Sequence, residues 1–475
     1  MQIQMGRFFF FLSILCLLPL KPVVALPLHT NSRWIVDEDG ARVKLACVNW
    51  LSHQEAAVAE GLSNHPVDLI SKRIASLGFN CVRLTLPLSW PSTSHWPPSL
   101  LDNPFRGLAC LNPLLAVVSN LADNNMMVIL DSHFSEPSFH GNGVFGDQHF
   151  NPDLWVKGLT RIATMFSGVP NVVGMSLRNE LRCPNQNVKD WYRNWSWYKA
   201  IHELTRPIFP PQSTAGIDIH REISVGDALA WIAGWEGWGN QQPQQGVRES
   251  GGQHNEGGGV LLQQGWPLMF VSELGVDDNR HLNCFFGLAA ELDFDWALWT
   301  LEETNGLMNW NSNFFQRISA LQSPLQGPDV SRVRPHKIIL HPSTGLCILR
   351  ESLSEPLKLG PCTESEAWGY TPQKILIVKG TYFCLQAVGL GKPAKLSIIC
   401  TQPGSNWEII SDSKMYLSTK LGDGTTVCLD VDSSSNIVTD ACKCLGRDDM
   451  CDPGSQWFKV VDSTNITRRP ILQIG

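Results

Sequence analysis

The stretch LWVKGLTRIATMFSGVPNVVGMSLRNE, residues 154–180, decides the fold. Its first half, Leu154 to Phe166, repeats apolar residues at helical spacing, and its second half opens with Val172 to Leu177, an apolar run of strand length. The same texture extends in both directions. Upstream lie a strand over Val43–Trp50, a helix over Leu69–Leu77 stopped by Gly78, a strand over Asn80–Leu86, a helix over Leu111–Leu121 and a strand over Met126–Leu130 that runs into Asp131. Downstream come a strand at Leu268–Val271, a helix at His281–Leu292, a strand at Phe294–Leu301 and a helix at Phe314–Leu321. Such alternation means parallel strands joined by crossover helices. About 290 residues of it, between Arg33 and Pro324, match an α/β fold of the (β/α)8 TIM-barrel kind, typically ~250 residues or more.

The flanks read differently. Residues 1–25 carry Arg7, the apolar run Phe8–Leu20 and small residues before Ala25, the pattern of a secretory signal peptide. The run is too short to span a bilayer core of ~30 Å, so the mature chain is expected to be secreted, extracellular or cell-wall-associated, with no membrane contact. The barrel then occupies 26–324, and a Pro-containing linker occupies 325–335. Residues 336–475 hold eight Cys and a threefold echo: Cys347, Cys384 and Cys428 each open a segment, a second Cys follows 14 to 16 residues later, and each segment meets a Trp (Trp368, Trp407, Trp457). Short strands with a threefold period suggest a small all-β trefoil. Bridges Cys347–Cys362 and Cys384–Cys400 are expected, with Cys428, Cys442, Cys444 and Cys451 forming two more in an open order. Asn194-Trp195-Ser196 and Asn465-Ile466-Thr467 are glycosylation sequons.

Composition narrows the function. The chain carries 37 Lys plus Arg and 44 Asp plus Glu, a net charge of −7, with no basic run, which argues against a nucleic-acid partner. His-Glu-x-x-His, Gly-x-Ser-x-Gly and Walker patterns are missing, and His133, His140 and His149 are spaced wrongly for zinc, so neither a metal nor a cofactor is expected. Gly141 to Gly146 matches a dinucleotide pattern but precedes no helix and reads as a rim loop.

Barrel chemistry sits at the C-terminal ends of the strands. Read in order, those ends supply Asn49, Arg83, Asp131 with His133, Asn179 with Glu180, Glu273 and Trp299. The spacing puts Glu180 on strand 4 and Glu273 on strand 7, two carboxylates aimed into one mouth. Glycoside hydrolysis needs such a pair, ~5–5.5 Å apart when configuration is retained.

The stretches at Asn80–Leu84, Leu130–His133, Ser176–Glu180, Val271–Gly275 and Ala297–Trp299 resemble glycoside hydrolase family 5, the cellulase-type clan, over most of residues 34–324. The likeness looks closest to a plant branch with a C-terminal ricin B-type trefoil. The resemblance implies Glu180 as acid/base and Glu273 as nucleophile. It implies that Asn179 holds the sugar 2-hydroxyl, Arg83 orients the nucleophile, His133 bridges the site, and Trp299 stacks beneath a sugar of a β-linked polysaccharide or oligosaccharide. The family also uses a His-x-Tyr on strand 6, which this sequence lacks: residues 234–259 are Gly- and Gln-rich, and only Ile223–Val225 reads as a fifth strand. A catalytically impaired carbohydrate-binding protein is therefore the alternative. In the trefoil, only the third segment carries the acid that ricin-type repeats use for a sugar ligand, Asp430, while Leu349 and Gln386 stand in the other two.

Overall fold

The computed structural model describes residues 28–31, 34–53, 59–62, 64–87, 113–136, 149–176, 179, 217–218, 222–223, 270–274, 279–301, 312–328, 335–352, 355–411, 413–445 and 451–464. A short hairpin of β1 (His29–Asn31) and β2 (Trp34–Val36) precedes the barrel. The barrel elements are β3 (Ala46–Leu51), α1 (Val67–Ser76), β4 (Cys81–Pro87), α2 (Pro113–Asp123), β5 (Met127–Phe134), α3 (Pro152–Met165) and β6 (Val172–Ser176). They continue with β7 (Ile217–Asp218), β8 (Glu222–Ile223), β9 (Phe270–Leu274), α4 (Asn279–Leu292), β10 (Asp295–Leu298) and α5 (Ser312–Leu321). The sheet runs β7-β6-β5-β4-β3-β10-β9-β8, and the pairings are parallel. This is a curled (β/α)8-type barrel with β3 and β10 closed on each other.

Local chemistry explains the helices. Asn151 caps α3, its side-chain oxygen accepting from the Asp153 and Leu154 backbone N–H groups at 2.9 and 3.2 Å, and Pro152 fills the first turn. Gly78 ends α1 with φ +88°, and a Cβ there would meet Ser319 of α5 at 2.7 Å, so only glycine lets the two helices approach this closely.

The inward and outward faces of the strands alternate. Val82, Leu84, Leu86, Val128 and Leu130 face the helix layer with Ile70, Ile74 and Leu121. Cys47, Cys81, Met127, Ile129 and Ala297 fill the lower lumen, where Cys47 and Cys81 form a disulfide between β3 and β4. Buried ion pairs fasten the foot: Arg42 to Asp295 at 2.9 Å and Lys44 to Asp293 at 2.6 Å. Leu325 and Gln326, read from the sequence as linker, belong to this packing, since Asp293 accepts the Gln326 backbone N–H at 3.0 Å and Leu325 is buried.

One part of the barrel departs from the sequence reading. Ile223 pairs with β9 in the sixth place, and the fifth place beside β6 belongs to Ile217–Asp218. Only residues 219–221 separate these segments, whereas a crossover between parallel strands takes a dozen residues or more. β7 and β8 are two-residue strands at the two ends of the sheet order. β7 lies against Gly174 and Met175 of β6, and β8 against Phe270 and Val271 at the foot of β9.

Residues 335–464 form a separate antiparallel β unit. Its threefold echo has a structural counterpart. In each segment the first Cys pairs across a hairpin (Cys347 with Gly360, Cys384 with Ser397, Cys428 with Asp440), and the bridging Cys lies just beyond that partner. The bridges are Cys347–Cys362, Cys384–Cys400, Cys428–Cys442 and Cys444–Cys451, which settles the order left open by the sequence. Trp368, Trp407 and Trp457 are fully buried. Cys284 of α4 packs with Met415, Tyr416 and Trp457 of this unit. Lys459 reaches back to Glu291 of α4 at 2.7 Å.

Gly345 lies on this seam with φ +72°, and a Cβ would come within 2.9 Å of the Arg317 carbonyl of α5. Gly345→Ala is expected to destabilise the protein by about 1–3 kcal/mol, read as a lowered midpoint in thermal unfolding.

Candidate active site

The inward residues turn from apolar to polar toward the C-terminal ends of the strands. On β3 Asn49 follows Cys47, on β4 Arg83 and Thr85 follow Cys81, and on β5 Asp131 and His133 follow Met127 and Ile129. Period-two alternation keeps each series on one face. Polar side chains thus converge at one end of the lumen.

Arg83 is their hub. It is fully buried, and an isolated buried charge is expensive, so its partners decide its stability. Nη1 donates to Asn49 Oδ1 and to Glu273 Oε1, both at 2.8 Å. Nη2 donates to Asn179 Oδ1 at 3.0 Å and lies 3.0 Å from Asp131 Oδ2. Asn49 is itself held, its amide donating to the carbonyls of Ser272 and Leu298 at 2.9 and 3.1 Å, which ties β3 to β9 and β10. Its own carbonyl accepts from Thr300 Oγ1 at 2.9 Å.

His133 Nδ1 stands 2.7 Å from Asp131 Oδ2 and 3.9 Å from Glu273 Oε1, and its Nε2 is 3.3 Å from Asn179 Nδ2. Its ring lies between two others: His53 stacks at 4.0 Å and the Trp299 indole at 5.6 Å, nearly parallel at 13°. Ser176 Oγ donates to the other oxygen of Asp131. Burial alone would raise the Asp131 pKa, but the Arg83 charge and the hydrogen bonds from His133 and Ser176 outweigh it and hold the carboxyl at about 2.

The structure therefore brings five residues singled out in the sequence into one cluster: Arg83, His133, Asn179, Glu273 and Trp299. Glu180 lies outside the described residues, although its neighbour Asn179 is anchored by a backbone bond to the Ser132 carbonyl at 2.9 Å. Glu273 retains partial exposure, as a group that must reach a ligand requires. Asn49, His53 and Ser176 were given no role by the sequence, and Asp131 was noted only as a strand end. Position at a strand terminus was the available signal for Asn49 and Asp131; the contacts of His53 and Ser176 arise only on folding.

Asp430 belongs to the other unit and meets none of these groups. It is buried, its Oδ2 accepting from Lys443 Nζ at 2.8 Å and Gln456 Nε2 at 2.9 Å, while the Val431 N–H donates to Oδ1 at 2.7 Å.

A parallel barrel with a carboxylate, a guanidinium and an amide in contact at the C-terminal ends of its strands, and an indole beside them, has the layout of a barrel enzyme. Residues 36–210 match the family described as Cellulase (glycosyl hydrolase family 5). A "Glycosyl hydrolase 5 family protein" from Chamaecyparis obtusa is 33% identical, the match covering 94% of this chain and 95% of that protein. That alignment runs over 533 positions, more than the 475 residues of this chain, so the relative carries segments that this chain lacks. The "Major extracellular endoglucanase" of Xanthomonas campestris pv. campestris is 30% identical over 156 residues, 32% of each chain. Among solved structures, a hyperthermophilic endocellulase from Pyrococcus horikoshii superposes with a TM-score of 0.47 at 17% identity, covering 64% of this chain and 100% of its own. The chain belongs to glycoside hydrolase family 5.

The Asp131 carboxyl titrates lower in the folded chain than the 3.8 of a free side chain, so it binds its proton less readily once folded. Its stabilising contribution is complete above about pH 4 and fades as pH falls toward about 2, amounting to about 2 kcal/mol. Urea unfolding of wild type and Asp131→Asn between pH 5 and 2 is expected to show the steeper loss in wild type, since the amide does not titrate.

Proposed function

We propose that the protein is a secreted β-glycosidase that cleaves O-glycosyl bonds of a β-linked polysaccharide or oligosaccharide with retention of configuration. Glu273 is the nucleophile and Glu180 the acid/base. The observation that carries this reading is the 2.8 Å contact between Glu273 Oε1 and the buried Arg83 guanidinium, made in the same cluster as Asn179, the residue next to Glu180. A positive charge facing Glu273 suits a group that attacks the anomeric carbon as an anion. Asn179 is placed to reach the sugar 2-hydroxyl, and the Trp299 indole offers a flat apolar face to a pyranose ring. The likeness to the Xanthomonas endoglucanase supports a β-glucan among the candidate substrates.

In this reading residues 1–25 direct secretion, in keeping with the disulfides, which form in oxidising compartments. The C-terminal unit is a ricin B-type trefoil, supported by its three hairpin-and-bridge segments with buried tryptophans. It acts chiefly as a structural cap: the candidate sugar-binding acid, Asp430, is already engaged by Lys443 and Gln456, so a sugar must displace those partners to bind there.

A second reading, a catalytically impaired carbohydrate-binding protein, is favoured by one observation. The places beside β6 and β9 are taken by two-residue strands, Ile217–Asp218 and Glu222–Ile223, three residues apart in the chain, too few for the crossover that ordinarily joins parallel strands.

Hydrolysis of an aryl β-glycoside decides between them. Glu273→Gln and Glu180→Gln are each expected to lower kcat at least about a hundredfold, the minimum contribution of positioned acid–base or nucleophilic groups. Product NMR during wild-type turnover is expected to show the β-anomer first. Equal rates in all three proteins favour the binding-protein reading.

A further inference from the structure

We propose that Asp131 is a positioning residue of this site, holding Arg83 and His133 on one carboxylate oxygen and, through them, fixing the orientation of Asn179 and Glu273. This deepens the hydrolase reading and rests on it.

The argument starts from Arg83, which has donors and no acceptor. The Asn179 atom 3.0 Å from Nη2 must therefore be the amide oxygen, and this turns Nδ2 toward His133 Nε2 at 3.3 Å. A donor in that position needs a lone pair, so Nε2 is the unprotonated nitrogen and the ring proton resides on Nδ1. Two acceptors face that proton: Asp131 Oδ2 at 2.7 Å and Glu273 Oε1 at 3.9 Å. Asp131 takes it. The same Oδ2 stands 3.0 Å from Arg83 Nη2, which closes a ring of contacts through Asp131, His133, Asn179 and Arg83. Ser176 Oγ occupies the other carboxylate oxygen and fixes the plane of the carboxylate.

Two consequences bear on catalysis. The second Nδ2 hydrogen of Asn179 has a defined direction and is kept for a sugar hydroxyl. The single positive charge of Arg83 is divided between two carboxylates, so Glu273 is held in place without receiving the whole field of the guanidinium, which would weaken it as a nucleophile. In Asp131→Asn the negative charge is lost: the amide can keep an oxygen toward Arg83 and His133 only with its NH2 turned to Ser176, and both charge-assisted contacts weaken. The signal in the sequence is the spacing of Asp131 and His133, two apart on one strand and therefore on one face.

The test uses the full chain with histidines labelled with nitrogen-15, in wild type and Asp131→Asn. Wild type is expected to show His133 protonated on Nδ1. In Asp131→Asn that signature weakens, and kcat per folded molecule on an aryl β-glycoside falls by about tenfold to a hundredfold, the range for misplaced catalytic groups, while KM moves less than about threefold, since the interaction acts in the transition state. A wild-type His133 protonated on Nε2 overturns the proposal. So does a folded Asp131→Asn with wild-type kcat, the result expected if the carboxylate only stabilises the barrel. If the variant does not fold, the wild-type tautomer decides. If wild type hydrolyses no β-glycoside, the hydrolase reading fails, and the tautomer still tests the placement of Asp131.

Discussion

A guanidinium sealed inside a barrel is the constraint on which the site depends. Arg83 has no water to solvate it, so the strands around it must supply acceptors, and they do so from four directions: Asn49 on β3, Asp131 on β5, Asn179 after β6 and Glu273 on β9. Two of these acceptors are then held by further contacts, Asn49 by two carbonyls and Asp131 by Ser176. Satisfying one buried charge thus aligns the upper ends of strands far apart in sequence. In a low-dielectric interior such linked hydrogen bonds strengthen one another and rigidify the site.

Much of this was legible in the chain. Apolar runs of strand and helix length placed β3 to β6, β9 and β10 within a few residues, because β3, β4, β5, β9 and β10 are each followed by a helix whose period is also visible. Arg83, His133, Asn179, Glu273 and Trp299 were found because strand ends can be read from the same pattern. Local sequence does not show which polar strand-end groups touch. Asn49 and Asp131 lie 82 positions apart in the numbering of the chain and share a partner only because β3, β4 and β5 are neighbours in the sheet. His53 is invisible for the same reason, since its partner His133 lies on another strand.

The fifth and sixth barrel places were misread for a different reason. Two-residue ladders carry no periodicity, and the alternation Ile217-Asp218-Ile219-His220 is too short to mark a strand, with no long apolar run in 217–223. The order of the last bridges was open because four closely spaced cysteines allow several pairings until the hairpin of Cys428 and Asp440 brings Cys442 alongside Cys428. The threefold echo, in contrast, survived intact into three dimensions, since each copy encodes a local hairpin. The two units are then joined through α4, whose buried face meets Met415, Tyr416 and Trp457 and whose end carries Glu291 to Lys459.

β7 and β8 also bear on solubility. A long uncovered outer strand is a template for pairing with another chain. Here β6 is flanked by Ile217–Asp218 and β9 by Glu222–Ile223, two-residue strands that offer a foreign strand almost no ladder to extend. Margins this short are one of the ways in which natural sheets escape edge-to-edge association.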